Sequence, residues 1–219
     1  MKFPQTELGH LAEFRNGVNF VVADRGVVAK IVGVGEFRDH AEISDFDKLP
    51  EIQLRSHLSI DDELRDGDLL FVRSNGSKNL IGRCMVVKQP PKGITFSGFT
   101  IRARLNTSVV LPEYVALLFQ GGALNRQMTF AGGGNGNISN LNQDLLASVK
   151  IGLPSLSLQQ AIVDAAKSWD AAVGLVERLI SAKQIKLQTM VSRAIAVRKK
   201  NGRLVEHWPL LRADQIFQS

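Results

Sequence analysis

Residues 157–200 read SLQQAIVDAAKSWDAAVGLVERLISAKQIKLQTMVSRAIAVRKK, and their apolar residues recur every seven positions. One seam position holds Ile162, Trp169, Val176, Lys183 and Met190; its partner holds Ala166, Val173, Ile180, Leu187 and Ala194. Nine of these ten residues are apolar over five heptads, a pattern that predicts a coiled-coil helix rather than an ordinary surface helix. About 43 residues at ~1.5 Å each give a helix of roughly 65 Å. Such a seam exceeds what a domain of this size covers, so it requires a partner helix, with Ile162, Trp169, Val173, Val176, Ile180, Leu187 and Met190 as the interface. Lys183 on the seam fixes register or partner choice. The competing reading is a core helix packed on its own domain.

The ends of the helix carry their own signals. Ser157 with Gln160, just after Pro154, forms a capping-box pattern. Lys199, Lys200, Asn201 and Gly202 place cations and then a residue tolerant of positive φ at the C-terminus.

Upstream of Pro154 the pattern changes to short strands and turns. Residues 1–35 read as strands, with VVADRGVVAKIVGVGEF β-branched and punctuated by glycine. Residues 36–68 are acidic and mostly loop-like, with a short apolar spacing in the middle. LLFVRS (69–74), the loop NGSKN and LIGRCMVV (80–87) form a hairpin-like pair. ITFSGFTIRARL (94–105) alternates, with Arg102 and Arg104 on one face and Ile101, Ala103 and Leu105 on the other. PEYVALLFQGGALNRQM opens with proline at a helix N-terminus. GGGNGNISNLN (132–142) is a glycine- and asparagine-rich loop. It lacks the Gly-Lys-Ser/Thr ending of a phosphate-binding loop and reads as a connector that uses positive φ. The fold class expected is α+β: a mixed domain at 1–153, a long coiled-coil helix at 154–202, and a tail at 203–219.

The tail restarts the beginning. Phe3-Pro4 aligns with Trp208-Pro209, Gly9 with Asp214 and Leu11 with Ile216. The chain then ends as a second copy of the first domain would begin.

The 219 residues are 44% hydrophobic, enough for one domain with an appendage. The sequence has no membrane-spanning apolar run and no signal-peptide pattern, so a cytoplasmic protein is expected. The single cysteine, Cys84, excludes an internal disulfide framework and reads as a buried strand residue. The net charge is +6, unevenly spread: from Glu36 to Asp68 eleven acidic residues face four basic ones, and from Leu69 to Leu156 nine basic face two acidic. One basic half suggests a patch directed at a polyanion.

Catalysis finds no foothold in the sequence. His10, His40, His57 and His207 lack metal-ligand spacing, no Gly-x-Ser-x-Gly elbow is present, and Asp61-Asp62-Glu63 lies in a block that is acidic throughout. No metal and no cofactor are expected.

The ordered series TELGHLAEFRNGVNF, LRDGDLLFVRSNGS, LIGRCMVV, PEYVALLFQ and GGGNGNISNLNQDLLASVKIGLPSLSLQQAIV resembles the target-recognition domain and following conserved helix of type I restriction–modification specificity subunits. The tail WPLLRADQIFQS resembles the start of the next such domain. Members of that family carry two recognition domains and two long helices that pair antiparallel. Each domain reads half of a split DNA target, while methylation and cleavage belong to other subunits.

The resemblance implies a half-length, non-catalytic subunit. Its partners would be double-stranded DNA, a second copy of itself through the long helix, methyltransferase subunits, and a nuclease or translocase subunit. Arg178, Lys186, Arg193 and Arg198, outside the seam, would form the docking surface. Cations and amides suit phosphates and base edges, so the DNA-contacting candidates are Arg73, Asn75, Ser77, Lys78, Asn79, Arg102, Arg104, Asn125, Arg126 and Gln127. A stand-alone dimeric DNA-binding regulator, a coiled-coil assembly protein and a single-chain enzyme are the competing readings.

Overall fold

The apolar runs at 69–72 and 84–87 form two of the three inner strands of a five-stranded sheet. The structure, a computed structural model, describes residues 3–20, 26–37, 41–55, 57–74, 80–121, 124, 127–128 and 140–200, with side chains as far as 192. The tail at 203–219 and most of the 132–142 loop lie outside the described residues. The chain divides into two compact units, Met1–Ala165 and Ala166–Ser219.

Within the first unit, β1 (Gln5–Glu7) precedes a single 3-10 turn, Leu8–His10. Then come β2 (Ala12–Asn16), β3 (Val27–Val32), β4 (Glu42–Ile43), β5 (Glu51–Leu54), β6 (Leu69–Val72), β7 (Cys84–Val87), β8 (Ile94–Phe96) and β9 (Thr100–Leu105). Helix α1 (Pro112–Gln120), the short α2 (Gln143–Ala147), β10 (Lys150–Gly152) and the long α3 (Leu156–Lys200) complete the order. The main sheet runs β2-β9-β6-β7-β4 and the second β5-β3-β8, while β1 pairs with β10. The β6/β7 pair is antiparallel, as the hairpin-like reading requires.

Every residue of β6 and β7 is buried, and their period of two divides the side chains between two cores. Leu69, Phe71, Cys84 and Val86 join the cluster that includes Tyr114, Phe119, Leu146 and Val163. Leu70, Val72, Met85 and Val87 join Phe37, Phe46 and Phe96 on the other face. Burial pushes the Cys84 thiol pKa up, and the free thiol is part of the packing.

Two local expectations are corrected. Residues 94–105 are not one alternating strand but two, in different sheets. β8 runs parallel to β3, whereas β9 lies antiparallel between β2 and β6. The break is the Ser97–Phe99 turn, closed by the backbone N–H and hydroxyl of Thr100 donating to the Ser97 carbonyl at 2.8 and 2.7 Å. The acidic stretch 36–68 is mostly loop-like, as expected, and its apolar spacing forms β5, alternately exposed and buried.

The second correction is the helix cap. It is Ser155, not Ser157: the Leu158 N–H donates to the Ser155 hydroxyl at 3.4 Å and the Gln159 N–H to the Ser155 carbonyl at 2.9 Å. Gln160 donates forward to Asp164 at 2.8 Å instead of closing a capping box.

The N-terminal strand closes on the strand that leads into α3. The Leu8 N–H donates to the Val149 carbonyl at 2.9 Å, and the Leu153 N–H to the Pro4 carbonyl at 2.8 Å. Tyr114 on α1 donates its hydroxyl to the Gly152 carbonyl at 2.7 Å. The N-terminal strand and the helix start are thereby tied at one place.

Candidate nucleic-acid interface

The separation of charge along the sequence is undone in space. Three arginines on neighbouring strands grip the acidic stretch at 61–68. Arg15 on β2 donates to Asp62 at 2.6 Å. Arg104 on β9 makes a two-pronged pair with Asp68 at 2.8 Å for each prong, and also donates to the Glu63 carbonyl at 3.2 Å. Arg102, opposite Arg15 in register, donates to the Asp61 carbonyl and lies over the Phe96 ring with 5.7 Å to its centroid. Lys88 likewise pairs with Glu113. Arg104 and Lys88 of the basic half therefore neutralise acidic groups of the same domain.

This relocates two candidates. Arg102 is 4% exposed, and its Nε has no hydrogen-bond partner among the described residues. Burial, and then the neighbouring Arg104, lower its pKa. Arg104 is held by Asp68, itself 1% exposed. Arg102 sits inside a covered sheet and Arg104 is held in place by Asp68, so both make structural contacts within the domain. The strand alternation that marked them is real, but the face they share is covered by the 61–68 segment. For Arg15, the hydrogen bond to Asp62 raises the pKa.

Gln127 also has an internal role. Its amide donates to the Lys150 carbonyl at 3.1 Å and accepts the Lys150 N–H at 2.9 Å, as a neighbouring strand would. Arg73 is half-buried; its backbone N–H donates to the Phe99 carbonyl at 2.8 Å, and its carbonyl accepts the Leu141 N–H at 2.8 Å. Asn75, Ser77, Lys78, Asn79, Asn125 and Arg126 lie outside the described residues.

A cleft of about 690 Å³ opens beside this arginine ladder. Its walls are the end of β2 with residues 16–20, and the end of β5 with Arg55, His57 and Leu58. Arg15, Asn16, Asn19, Phe20 and Asp62 complete it. Cations, amides and an exposed aromatic ring are the side chains that contact phosphates, base edges and base faces. Sequence reasoning missed this cleft, since RNGVNF was read only as strand; the signal available was the clustering of Arg15, Asn16 and Asn19 within five residues. Close backbone approach builds its floor: a Cβ on Gly17 would stand 2.2 Å from the Ser97 carbonyl oxygen.

On the long helix, Trp169 is 74% exposed, and Val173, Val176, Ile180, Leu187 and Met190 are each more than half exposed. Ile162 differs: it is partly buried and packs against the core cluster containing Val163. The first turns of α3 belong to the first unit, so the open seam begins after Ile162. Leu175 and Leu179 are also exposed, which makes the apolar arc wider than two heptad positions. The side chains of Arg193 and Arg198 lie outside the described residues. Among the described residues, no group of three or more His, Cys, Asp or Glu could hold a metal ion. Nor is any described helix long and apolar enough to cross a membrane.

No protein-family model matches the chain. By sequence it is similar to the specificity subunit of the type I restriction enzyme EcoKI of Escherichia coli (strain K12), with 28% identity over 211 residues, covering 94% of this chain and 44% of that subunit. By structure it is similar to the HsdS subunit from Thermoanaerobacter tengcongensis, with a TM-score of 0.65 and 18% identity, over 95% of this chain and 53% of that one. A chain of a type I restriction–modification system, solved for its complex assembly and conformational transition, gives a TM-score of 0.64 at 18% identity, over 95% and 52%. The chain thus spans about half the length of these relatives, and the structural likeness bears out the α+β fold with its long helix. Over nearly all of its length, the chain is similar to one half of a type I restriction–modification specificity subunit, as its motif order implies.

Proposed function

We propose that this protein is the DNA-recognition component of a type I restriction–modification system. Its first unit reads a half-site of a split duplex target, and it performs no chemistry itself. The observation that carries this reading is the 94% coverage of the chain by its match to a specificity subunit. The cleft beside β2, lined by Arg15, Asn16, Asn19 and Arg55, supplies suitable chemistry. The exposed seam from Trp169 to Met190 supports pairing of two copies through α3, which restores two recognition domains. A two-fold pair of identical readers implies a palindromic split target. Arg178 and Lys186, with Arg193 and Arg198, are the proposed docking positions for methyltransferase subunits, to which a nuclease or translocase subunit adds.

The test is co-purification of the full chain with the methyltransferase subunit of its own host system, followed by duplex binding across a salt series. The expected result is a stable complex whose affinity falls with salt and depends on sequence. A chain that binds duplex DNA but no methyltransferase subunit would be a stand-alone regulator, and one that binds no duplex at low salt would overturn the reading.

A further inference from the structure

The wall of the cleft at 16–20 is locked to the turn that follows β8. The Val18 N–H donates to the Phe96 carbonyl and the Gly98 N–H to the Val18 carbonyl, both at 2.8 Å. Asn19 lies directly over Gly98: a Cβ at position 98 would stand 2.1 Å from the Asn19 amide oxygen. The next residue is Phe99, which is 61% exposed. Its carbonyl accepts the N–H groups of both Arg73 and Ser74, at 2.8 and 3.3 Å, and its own N–H donates to the Ser97 hydroxyl at 3.3 Å. An aromatic side chain is thus held in solvent on a turn whose backbone groups are satisfied. Phe20, 40% exposed, lines the cleft on the same segment as Asn19.

The combination has a specific chemistry. A primary amide presents one donor and one acceptor, the pair that matches the N6 and N7 edge of adenine, while a phenylalanine ring suits the thymine methyl group or a partly unstacked base step. Phosphate contacts fix register without reading sequence, and Arg73 adjoins the same turn through its backbone.

Resting on the DNA-recognition reading above, we propose that Asn19 and Phe99 are specificity-determining residues. The turn at 97–99 and the segment at 16–20 together form the base-reading edge of the domain. Arg102, buried in β9, and Arg104, held by Asp68, support this edge from within.

Selection from a random duplex library by the full chain tests this, comparing the wild type with Asn19→Ala, Phe99→Ala and Phe99→Leu, each checked for an unchanged melting midpoint. The expected result is that each alanine variant relaxes one position of the enriched motif by about tenfold, more than it weakens binding to a scrambled duplex. Phe99→Leu, which keeps an apolar tip, should retain part of the preference. If the wild type enriches a motif and the variants enrich it with equal stringency, the assignment of these residues is overturned and the DNA-recognition reading stands. Equal weakening on all sequences, or loss of methyltransferase capture with the motif intact, also overturns it, since the edge would then serve positioning or protein docking. If the wild type enriches nothing, both fall together.

Discussion

Gln159, in the first turn of the long helix, accepts the backbone N–H of Leu111 at 2.8 Å, the residue that caps α1 without a side-chain hydrogen bond of its own. The same amide donates to the Val109 and Pro154 carbonyls at 3.1 and 2.9 Å. Gln159 is fully buried, so one side chain satisfies three backbone groups, and it couples the start of α3 to the start of α1.

Gln159→Ala leaves those groups without this partner, that of Pro154 in the interior. With buried unsatisfied groups costing about 1–3 kcal/mol each and partial relaxation, we expect a loss of about 3 kcal/mol in denaturant unfolding. That corresponds to a melting point lower by roughly 6–12 °C. Gln159→Glu keeps the acceptor but sets an oxygen against two carbonyls. Its cost should ease as the pH falls and the acid becomes a donor, because burial raises the carboxyl pKa. Wild-type stability in either variant would refute this account of the junction.

The Arg104–Asp68 pair should matter far more than the Arg15–Asp62 pair. Asp68 is 1% exposed and Arg104 grips it with two prongs, whereas the Arg15 side chain is 41% exposed. Arg104→Ala strands a buried carboxylate and should cost about 3–5 kcal/mol. Arg104→Lys keeps the charge but not the fork and should fall between. Arg15→Ala should cost less than about 1 kcal/mol. Urea unfolding of the three variants checks the order, and an equal loss at both pairs would sink it.

Gly17 and Gly33 form a matched pair of probes. A methyl group at 17 would stand 2.2 Å from the Ser97 oxygen and 2.4 Å from the Phe96 oxygen, while nothing lies within 4 Å of one at 33. Gly17→Ala must therefore push β2 from β8, lowering the melting point and distorting the cleft. Gly33→Ala should stay within about 0.5 kcal/mol of wild type. Comparable melting curves for the two variants would contradict the close approach.

These residues also mark where the sequence was readable. The runs LLFV and CMVV announced strands because burial on both faces leaves a local signature, and the heptads of α3 did so because a long helix repeats its pattern. Proline at the start of α1 was equally local. The roles of Arg102 and Arg104 were not legible, because alternation places them on one face but cannot say that residues 61–68 fold over it. Charge counted along the chain misled for the same reason: Arg104 and Asp68 are 36 residues apart yet in contact. Asn19 clusters with Arg15 and Asn16 along the chain, but its approach to the turn that carries Phe99 was not legible, since it depends on a bridge between Val18 and Ser97.

The seam of α3 separates two kinds of apolar helix residue, and mutation can tell them apart. Ile180 is half exposed, whereas Ile162 packs on the core of the first unit. If two copies pair through the seam, Ile180→Asp should reduce the mass in light scattering from about twice 24.0 kDa to the single-chain value. It should leave the melting of the first unit unchanged, because no core residue loses a neighbour. Ile162→Asp should do the opposite in kind: it places a carboxylate against a buried cluster and lowers the melting point by several degrees. A wild-type chain that is already single at tens of micromolar would show that the seam between Trp169 and Met190 is reserved for a different helix. Under that outcome, the Ile180 variant should instead lose capture of that other chain while keeping the same melting curve.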